Sequence, residues 1–532
     1  MRANIIHVAT TGSDNTGDGT LLKPYATMTK AAKKVSPGDT VYVHGGTYHN
    51  NNFGNGDIWK NDKMAWIVCH GAPGKWITFK PAPGDTVLLE FDAVGIAIKT
   101  SSYVVFSGFE VKAMGDQITL SEAQDAWGLY LDSLGVEHDL AQELGIDIRD
   151  TALWGQTISK TPLYKIKKPK YYNEPGIVAG KSHHIIIENN LVRNVCGSAI
   201  RSQGSDYVTI RNNKVTENTY WTSAGVGAVT AAETTVIPAG DTFTGIKIII
   251  EKNEIYNNAN KLYSWNPDKD LIKFVIDEGS GIFLTRNNNT YDHGYFYIGN
   301  NISYLNGASG IVVHKTNRAI VENNTLFYNG QTNGDLKAGG LGVNTVDDVV
   351  FRNNICWAKN NKSAIYKVAN PITNLVMEKN IAFNNNSSEI DAVHGLADTG
   401  WKETSPMLQD TASHNFRLKQ NSPAIDSGAR ITSLPENICD FYNNPRIMNG
   451  SVDIGAIESG KYWTGKLDDD WSKPENWSDT SAVTDTSVIN IPSPSFYDFI
   501  PKIKTNTTVR KIFLHDSTTL IINNDVSLHI EQ

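Results

Sequence analysis

The sequence predicts an all-β fold, a parallel β-helix, from three observations. First, Gly176 to Asn386 repeats one phrase: a Gly- or Ser-led apolar strand, a polar break, a second apolar strand, then Asn-Asn. Its instances are Gly176-Ile-Val-Ala-Gly with IIIENN, Gly197-Ser-Ala-Ile with VTIRNN, Gly279-Ser-Gly-Ile with FYIGNN, Ser309-Gly-Ile-Val-Val with AIVENN and Gly340-Leu-Gly-Val with VVFRNN; IIIEKN and LVMEKN close two more copies. The uninterrupted repeat is about 23 residues, inside the solenoid range. Second, a third short strand follows each Asn: LVRN, KVTEN, EIYNN, ISYLN, TLFYN, ICWAKN and IAFNN. Three tightly broken strands per repeat suit a coil in which each strand pairs in parallel with its copy one turn away. Third, stacked Asn fits the turns, because Asn tolerates left-handed backbone and its amide can bond the Asn above and below. A leucine-rich repeat would need a regular Leu spacing, which is absent, and an antiparallel sandwich would not repeat the Asn pair.

The elements follow in order. A polar loop leads to a short amphipathic helix at Tyr25–Val35, a turn at Pro37-Gly38-Asp39, a strand at Thr40–Val43 and a close at Gly46-Thr47-Tyr48. A solenoid end exposes apolar cross-section and unpaired edges, so the helix reads as its cover. Coils continue through Trp76-Ile-Thr-Phe, Thr86-Val-Leu-Leu, Gly95-Ile-Ala-Ile and Tyr103-Val-Val-Phe. The repeat then stops from Met114 to Pro175, an insertion with Trp127, Tyr130, Trp154, Tyr164, Tyr171 and Tyr172 beside Lys165, Lys167, Lys168 and Lys170. These aromatics either stack on sugar rings or form the insertion's own core. Further excursions run from Thr230 to Thr244 and from Ala259 to Asp277. Residues 391–459 read as a C-terminal cap in which Asp426, Arg446, Asp453 and Glu458 pair structurally. The main domain is thus 1–459, with a small β-rich module at 460–532 whose Trp463, Trp471 and Trp477 read as core rather than as a sugar platform.

With 56 acidic against 48 basic residues the net charge is −8, which argues against a nucleic-acid or membrane-surface binder. No apolar run approaches a membrane span. Cys69, Cys196, Cys356 and Cys439 lie far apart in no metal spacing and read as free thiols.

The N-terminal block 5–48, the coils, and the ending Ser422-Pro-Ala-Ile-Asp-Ser-Gly with Val452-Asp-Ile-Gly-Ala-Ile-Glu458 together resemble secreted bacterial right-handed parallel β-helix proteins that act on polysaccharides, the pectate-lyase-like superfamily. The likeness spans about residues 5–459. The last module resembles one near the C-terminus of exported proteins of Bacteroidetes-type bacteria. The resemblance implies a polysaccharide or oligosaccharide substrate and a secreted, periplasmic or cell-surface location. Calcium is the one cofactor it brings into view, and only for a lyase.

In such a coil the strand alternates, so the outward neighbours of Ile177, Ile200, Ile282, Ile311 and Leu341 share one face. They are Val178 and Gly180, Arg201 and Gln203, Phe283 and Thr285, Val312 and His314, and Gly342 and Asn344, with Lys181, Arg286 and Lys315 at the next turn. A hydrolase needs two carboxyls about 5–10 Å apart, and Asp277, Glu278 and Asp292 are the candidates. His314 and Lys315 complete the catalytic set. Arg201, Gln203, Trp221, Trp265, Arg286 and Asn344 are expected to bind substrate, with Tyr220 beside them. The favoured expectation is a glycoside hydrolase. The alternative is a lyase or C5-epimerase, which takes the C5 proton of a uronate with a base and steadies the enolate with a cation. Against it, Phe283 stands where the lyases carry a lysine, no dense Asp cluster lies between Arg201 and Asn218, and Gly310-Ile-Val-Val-His314 keeps only the His of the epimerase motif. A non-catalytic carbohydrate-binding or adhesin β-helix is the third expectation.

Overall fold

The computed structural model describes residues 3–51, 53–54, 62–133, 157–159, 169–266, 271–273, 276, 278–332, 338–430, 439–515 and 518–530. It is a right-handed parallel β-helix of three faces. The first face holds Val94–Lys99, Ile177–Gly180, Ile200–Gln203, Gly227–Ala232, Ser280–Thr285 and Ile311–His314. The second holds Ser102–Ser107, His183–Glu188, Asp206–Arg211, Ile246–Glu251, Tyr295–Gly299 and Ala319–Glu322. Two long strands, Ala338–Arg352 and Ser363–Glu378, run round the turn between them and join both faces into one 19-stranded sheet. The third face is an 11-stranded sheet of short strands such as Leu191–Arg193 and Thr325–Phe327.

The register is the one the repeat predicts. Ile96, Ile177, Ile200, Val229, Ile282, Ile311, Leu341 and Ile365 lie in one parallel ladder, and every one is fully buried. Because the side-chain period is two, this single column fixes which neighbours face outward.

Each Asn pair divides two tasks between its members. The first residue takes the left-handed conformation (Asn189, Asn212, Asn300, Asn323 and Asn353, with Lys252 and Lys379 as the replacements). The second builds a ladder inside the turn. Asn190, Asn213, Asn253, Asn301, Asn324 and Asn354 each donate a side-chain N–H to the next amide oxygen at 3.0 Å, and Asn380 ends the ladder as an acceptor that donates to the Phe351 and Gly400 carbonyls. This explains why IIIEKN and LVMEKN keep the second Asn and lose the first: Lys can occupy a left-handed position, but it cannot both donate and accept. A parallel ladder, Asn218, Asn258, Asn306 and Asn329, fills the turn after the third face. Ser101, Ser182 and Ser205 stack after the first.

The N-terminal helix spans Met28–Ala32, shorter than expected, capped by Thr27, whose side chain accepts from the Lys30 N–H. It buries Met28, Ala31 and Ala32. The excursion expected from Thr230 begins later. Gly227–Ala232 is a first-face strand paired with Ile200–Gln203 and Ser280–Thr285. Its run of Gly and Ala hides the strand pattern, and the structure needs it, since a Cβ on Gly227 would meet Phe283 Cβ at 2.7 Å.

Residues 391–459 do two different things. Val393–His394 and Trp401–Lys402 extend the coil. From Leu408 onward the chain lies along the outer side of the third face, where Leu408, Phe416, Leu418, Ala424, Ile454, Ala456 and Ile457 pack on Ile302, Tyr304, Phe327, Ile355, Ile381 and Phe383. Asp426, Arg446, Asp453 and Glu458 pair inside this cover: Arg446 Nε lies 3.3 Å from Glu458, and the Asp426 N–H donates to Asp453 at 2.7 Å. The last module is itself a short parallel solenoid, with Val488–Ile491 on Lys511–Leu514, Lys502–Ile503 on Ile521–Ile522 and Thr507–Val509 on Leu528–Ile530. Trp463, Trp471 and Trp477 are buried in edge and stacked contact as its core. Cys69, Cys196 and Cys356 are buried free thiols. Among the described residues, no helix is long and apolar enough to cross a membrane.

Candidate functional site

Outward side chains of the first face form three columns. One runs Ala97, Val178, Arg201, Thr230, Phe283, Val312, Gly342, Tyr366; the next runs Lys99, Gly180, Gln203, Ala232, Thr285, His314, Asn344. The third is the left-handed turn position that follows: Thr100, Lys181, Gly204, Glu233, Arg286, Lys315 and Thr345. Left-handed backbone swings these side chains to the rim of the face.

A groove of about 1010 Å³ lies over the early coils of these columns. Lys63, Lys99, Lys181, Arg201 and Arg286 line it, with Glu174 and Glu233 as the carboxylates and Val94, Val178, Pro175 and Ile237 as apolar wall. Five cations against two carboxylates reverse the sign of the whole chain.

Arg201 sits at the centre. Its Nη2 donates to Asn173 Oδ1 at 2.8 Å and to Ser198 Oγ at 3.3 Å, while its Nε has no hydrogen-bond partner among the described residues. Burial pushes its pKa down to about 10, and Glu174 and Glu233 pull the other way. It therefore stays charged at neutral pH. Gln203 donates to Glu233 at 2.6 Å, and Arg286 lies 3.2 Å from the other oxygen of the same carboxylate.

The structure brings Arg201, Gln203 and Arg286 together in this groove. His314 and Lys315 lie further along the same columns, past Thr285; His314 bonds Thr285 Oγ1 at 2.8 Å and stacks on Phe283. Asn344 is one coil beyond, with its side-chain oxygen accepting from Thr345. Trp221 must be corrected: its ring is buried and its indole N–H donates to the Gly115 carbonyl at 2.8 Å, so no ring face is left for a sugar. Tyr220 beside it is covered by Lys261, 3.7 Å from its ring centre.

The expected carboxylate pair is not assembled from Glu278 and Asp292. Glu278 precedes the strand Ser280–Thr285, and Asp292 follows it; six residues at about 3.3 Å rise separate them by roughly 20 Å. Asp292 is exposed and lines a different hollow with Asn317, Arg318, Asp347 and Asp348. Asp277, the side chain of Trp265, and most of the insertion's aromatics and lysines lie outside the described residues. Of that insertion, Tyr171 and Tyr172 are buried, and Lys170 pairs with Asp92 at 2.8 Å, which is a packing role.

Glu174, Glu233, Lys63 and Lys99 escaped the sequence reading. Lys99 was findable, because Gly95-Ile-Ala-Ile runs straight into it on the same column. Glu233 was hidden by the misread strand before it.

Comparison with known proteins gives architecture. Residues 6–160 match the family model described as the Pel9A-like, right-handed β-helix region. No curated relative matches. Among solved structures, pectate lyase Pel9A aligns at 13% identity and TM-score 0.43, covering 86% of this chain and 97% of the other. XylC in its complex with xylose aligns at 13% identity and TM-score 0.40, covering 86% and 99%. The Azotobacter vinelandii mannuronan C-5 epimerase AlgE4 A-module aligns at 11% identity and TM-score 0.37, covering 95% and 93%. At these identities the likeness is one of coil architecture, and the chemistry has to be read from this chain's own groove.

Proposed function

We propose that this β-helix is a carbohydrate-active enzyme whose groove takes an acidic, uronate-containing polysaccharide and cleaves it by β-elimination. The observation that carries the reading is the set of five cations facing one groove on a chain of net charge −8. An anionic polymer is drawn to such a cleft, and a desolvated guanidinium stabilises developing negative charge far better than one in water.

In this reading Arg201 holds the uronate carboxylate and steadies the enolate that forms as the C5 proton leaves. Lys99 and Lys181, from neighbouring coils, are the candidates to take that proton. The C4–O bond then breaks, a C4=C5 double bond forms, and the leaving oxygen is protonated. The hydrolase expected from the sequence is less well supported, since Glu278 and Asp292 do not form a pair and one of the groove's two carboxylates, Glu233, is held by Gln203 and Arg286. Calcium does not fit this groove. The two carboxylates that line it, Glu174 and Glu233, fall far short of the roughly six to eight oxygen ligands calcium takes, and Glu233 is engaged by Gln203 and Arg286.

The test is a panel of neutral and acidic polysaccharides, followed for new reducing ends and for the ultraviolet absorbance of a double bond conjugated to a carboxylate, with calcium and with chelator. Reducing ends with absorbance on acidic polymers alone support the proposal. Reducing ends without absorbance return the reading to hydrolysis.

A further inference from the structure

Glu233 is the one carboxylate in a rim column that otherwise reads Thr100, Lys181, Gly204, Arg286, Lys315 and Thr345. It holds a left-handed backbone conformation, φ 50°, where Gly or Asn would sit more easily. Both its oxygens are engaged by groove residues: Oε2 accepts from Gln203 Nε2 at 2.6 Å, and Oε1 lies 3.2 Å from Arg286 Nη2. Gln203 and Arg286 come from coils on either side of Glu233, so the three close a carboxylate cradle across three successive turns. Arg201 is near enough to feel the Glu233 charge, and its Nε has no hydrogen-bond partner among the described residues.

A uronate carboxylate has the same atoms and charge as the end of a glutamate. We propose that Glu233 is an internal stand-in for a substrate carboxylate, holding Gln203 and Arg286 in place until a uronate displaces it. This rests on the acidic-substrate reading above and adds a consequence to it. The cradle is a binding subsite, and Glu233 is a competitor for that subsite. Glu233 and Arg286 are both about half exposed, so their pair is weak enough to be exchanged. The exchange also bears on selectivity: a neutral sugar has no carboxylate to take the place of Glu233 on Arg286 and so does not use the cradle.

The experiment compares the wild type with Glu233→Gln and Glu233→Gly, using oligogalacturonate as the charged probe and a xylo-oligosaccharide of similar length as the neutral one. Gln keeps a partner for Gln203 without the charge, and Gly suits the left-handed backbone. Both variants are expected to bind oligogalacturonate about fivefold more tightly, the effect of freeing one exposed cation. KM should fall in parallel, and the neutral probe should be unaffected. Unchanged or weaker binding in both variants, with the wild type still binding oligogalacturonate, overturns the stand-in alone. A wild type that ignores oligogalacturonate and oligomannuronate alike overturns the acidic-substrate reading and the stand-in with it. A collapse of kcat in both variants would make Glu233 part of the chemistry and also overturn the proposal.

Discussion

The first and third faces belong to the same coils, yet the outward side of one is an open charged groove and that of the other is a buried interface. On the third face the early coils carry Glu110, Arg193, Lys214 and Glu254, which pair with each other in solvent. The later coils carry Ile302, Tyr304, Phe327, Ile355 and Phe383, and the chain returns from Leu408 to cover them. On the first face, Lys99, Arg201, Gln203 and Arg286 have no such cover among the described residues and line the groove. The inward columns are equally apolar on both, so the coil itself does not distinguish them. What an outward column does is set by its chemistry: apolar outward residues demand a partner from the same chain, and charged ones either pair in solvent, as on the early third face, or line a groove, as on the first.

The cover is the more sensitive of the two to truncation. Phe416→Ala removes a buried ring packed on Tyr304 and Phe327 and should cost about 3–5 kcal/mol, read as a lower urea midpoint, while groove chemistry is retained in the folded fraction. Asn324→Ala tests the frame that both faces share. It strips a buried amide bonded to Asn354 and to the Ile298 and Glu322 carbonyls, leaving those groups unpaired at about 1–3 kcal/mol. A smaller response would mean that the ladder is incidental to the coil.

Acid should separate the two regions again. Burial raises Asp453 in the cover to about 6 and lifts Glu458 well above its usual value. A carboxyl whose folded pKa is raised contributes stability that is complete below its unfolded pKa and is lost as pH rises through the folded one. The melting temperature should therefore climb as pH falls from 7 towards 5. Below about pH 4 the gain reverses, as Asp241, held down to about 2 chiefly by Lys247, loses its charge. A flat profile between pH 7 and 5 would mean that the cover's carboxyls are not desolvated. The smallest effect belongs to the solvated end of the third face, where Lys214→Ala should cost under about 1 kcal/mol.

The coil was legible because its signal is periodic. Ile177, Ile200, Ile282, Ile311 and Leu341 align by counting back from Asn-Asn, and their outward neighbours follow from the pleat alone. That places Arg201, Gln203 and Arg286 on one face from the sequence alone. Legibility ended where the period ended. Gly227–Ala232 is a strand built of small residues, so it read as an excursion and took Glu233 out of view. Trp221 looked available because an aromatic beside a groove can serve either use, and only its bond to Gly115 reveals the core role. The return of Leu408–Glu458 along the third face was hidden for a different reason. Its apolar residues show that it is buried, and nothing in their spacing says against which surface. Asp277, Glu278 and Asp292 were candidates around one coil, and the strand Ser280–Thr285 keeps Glu278 and Asp292 at its two ends.

The most direct measurement of the groove's role is the activity of Arg201→Ala on a galacturonate polymer beside the wild type, with the melting temperature of each. The account predicts a double-bond product from the wild type and a loss of about a hundredfold or more in the variant, with little change in melting. Full activity in a folded Arg201→Ala protein, or a wild type that yields only saturated products, would contradict it.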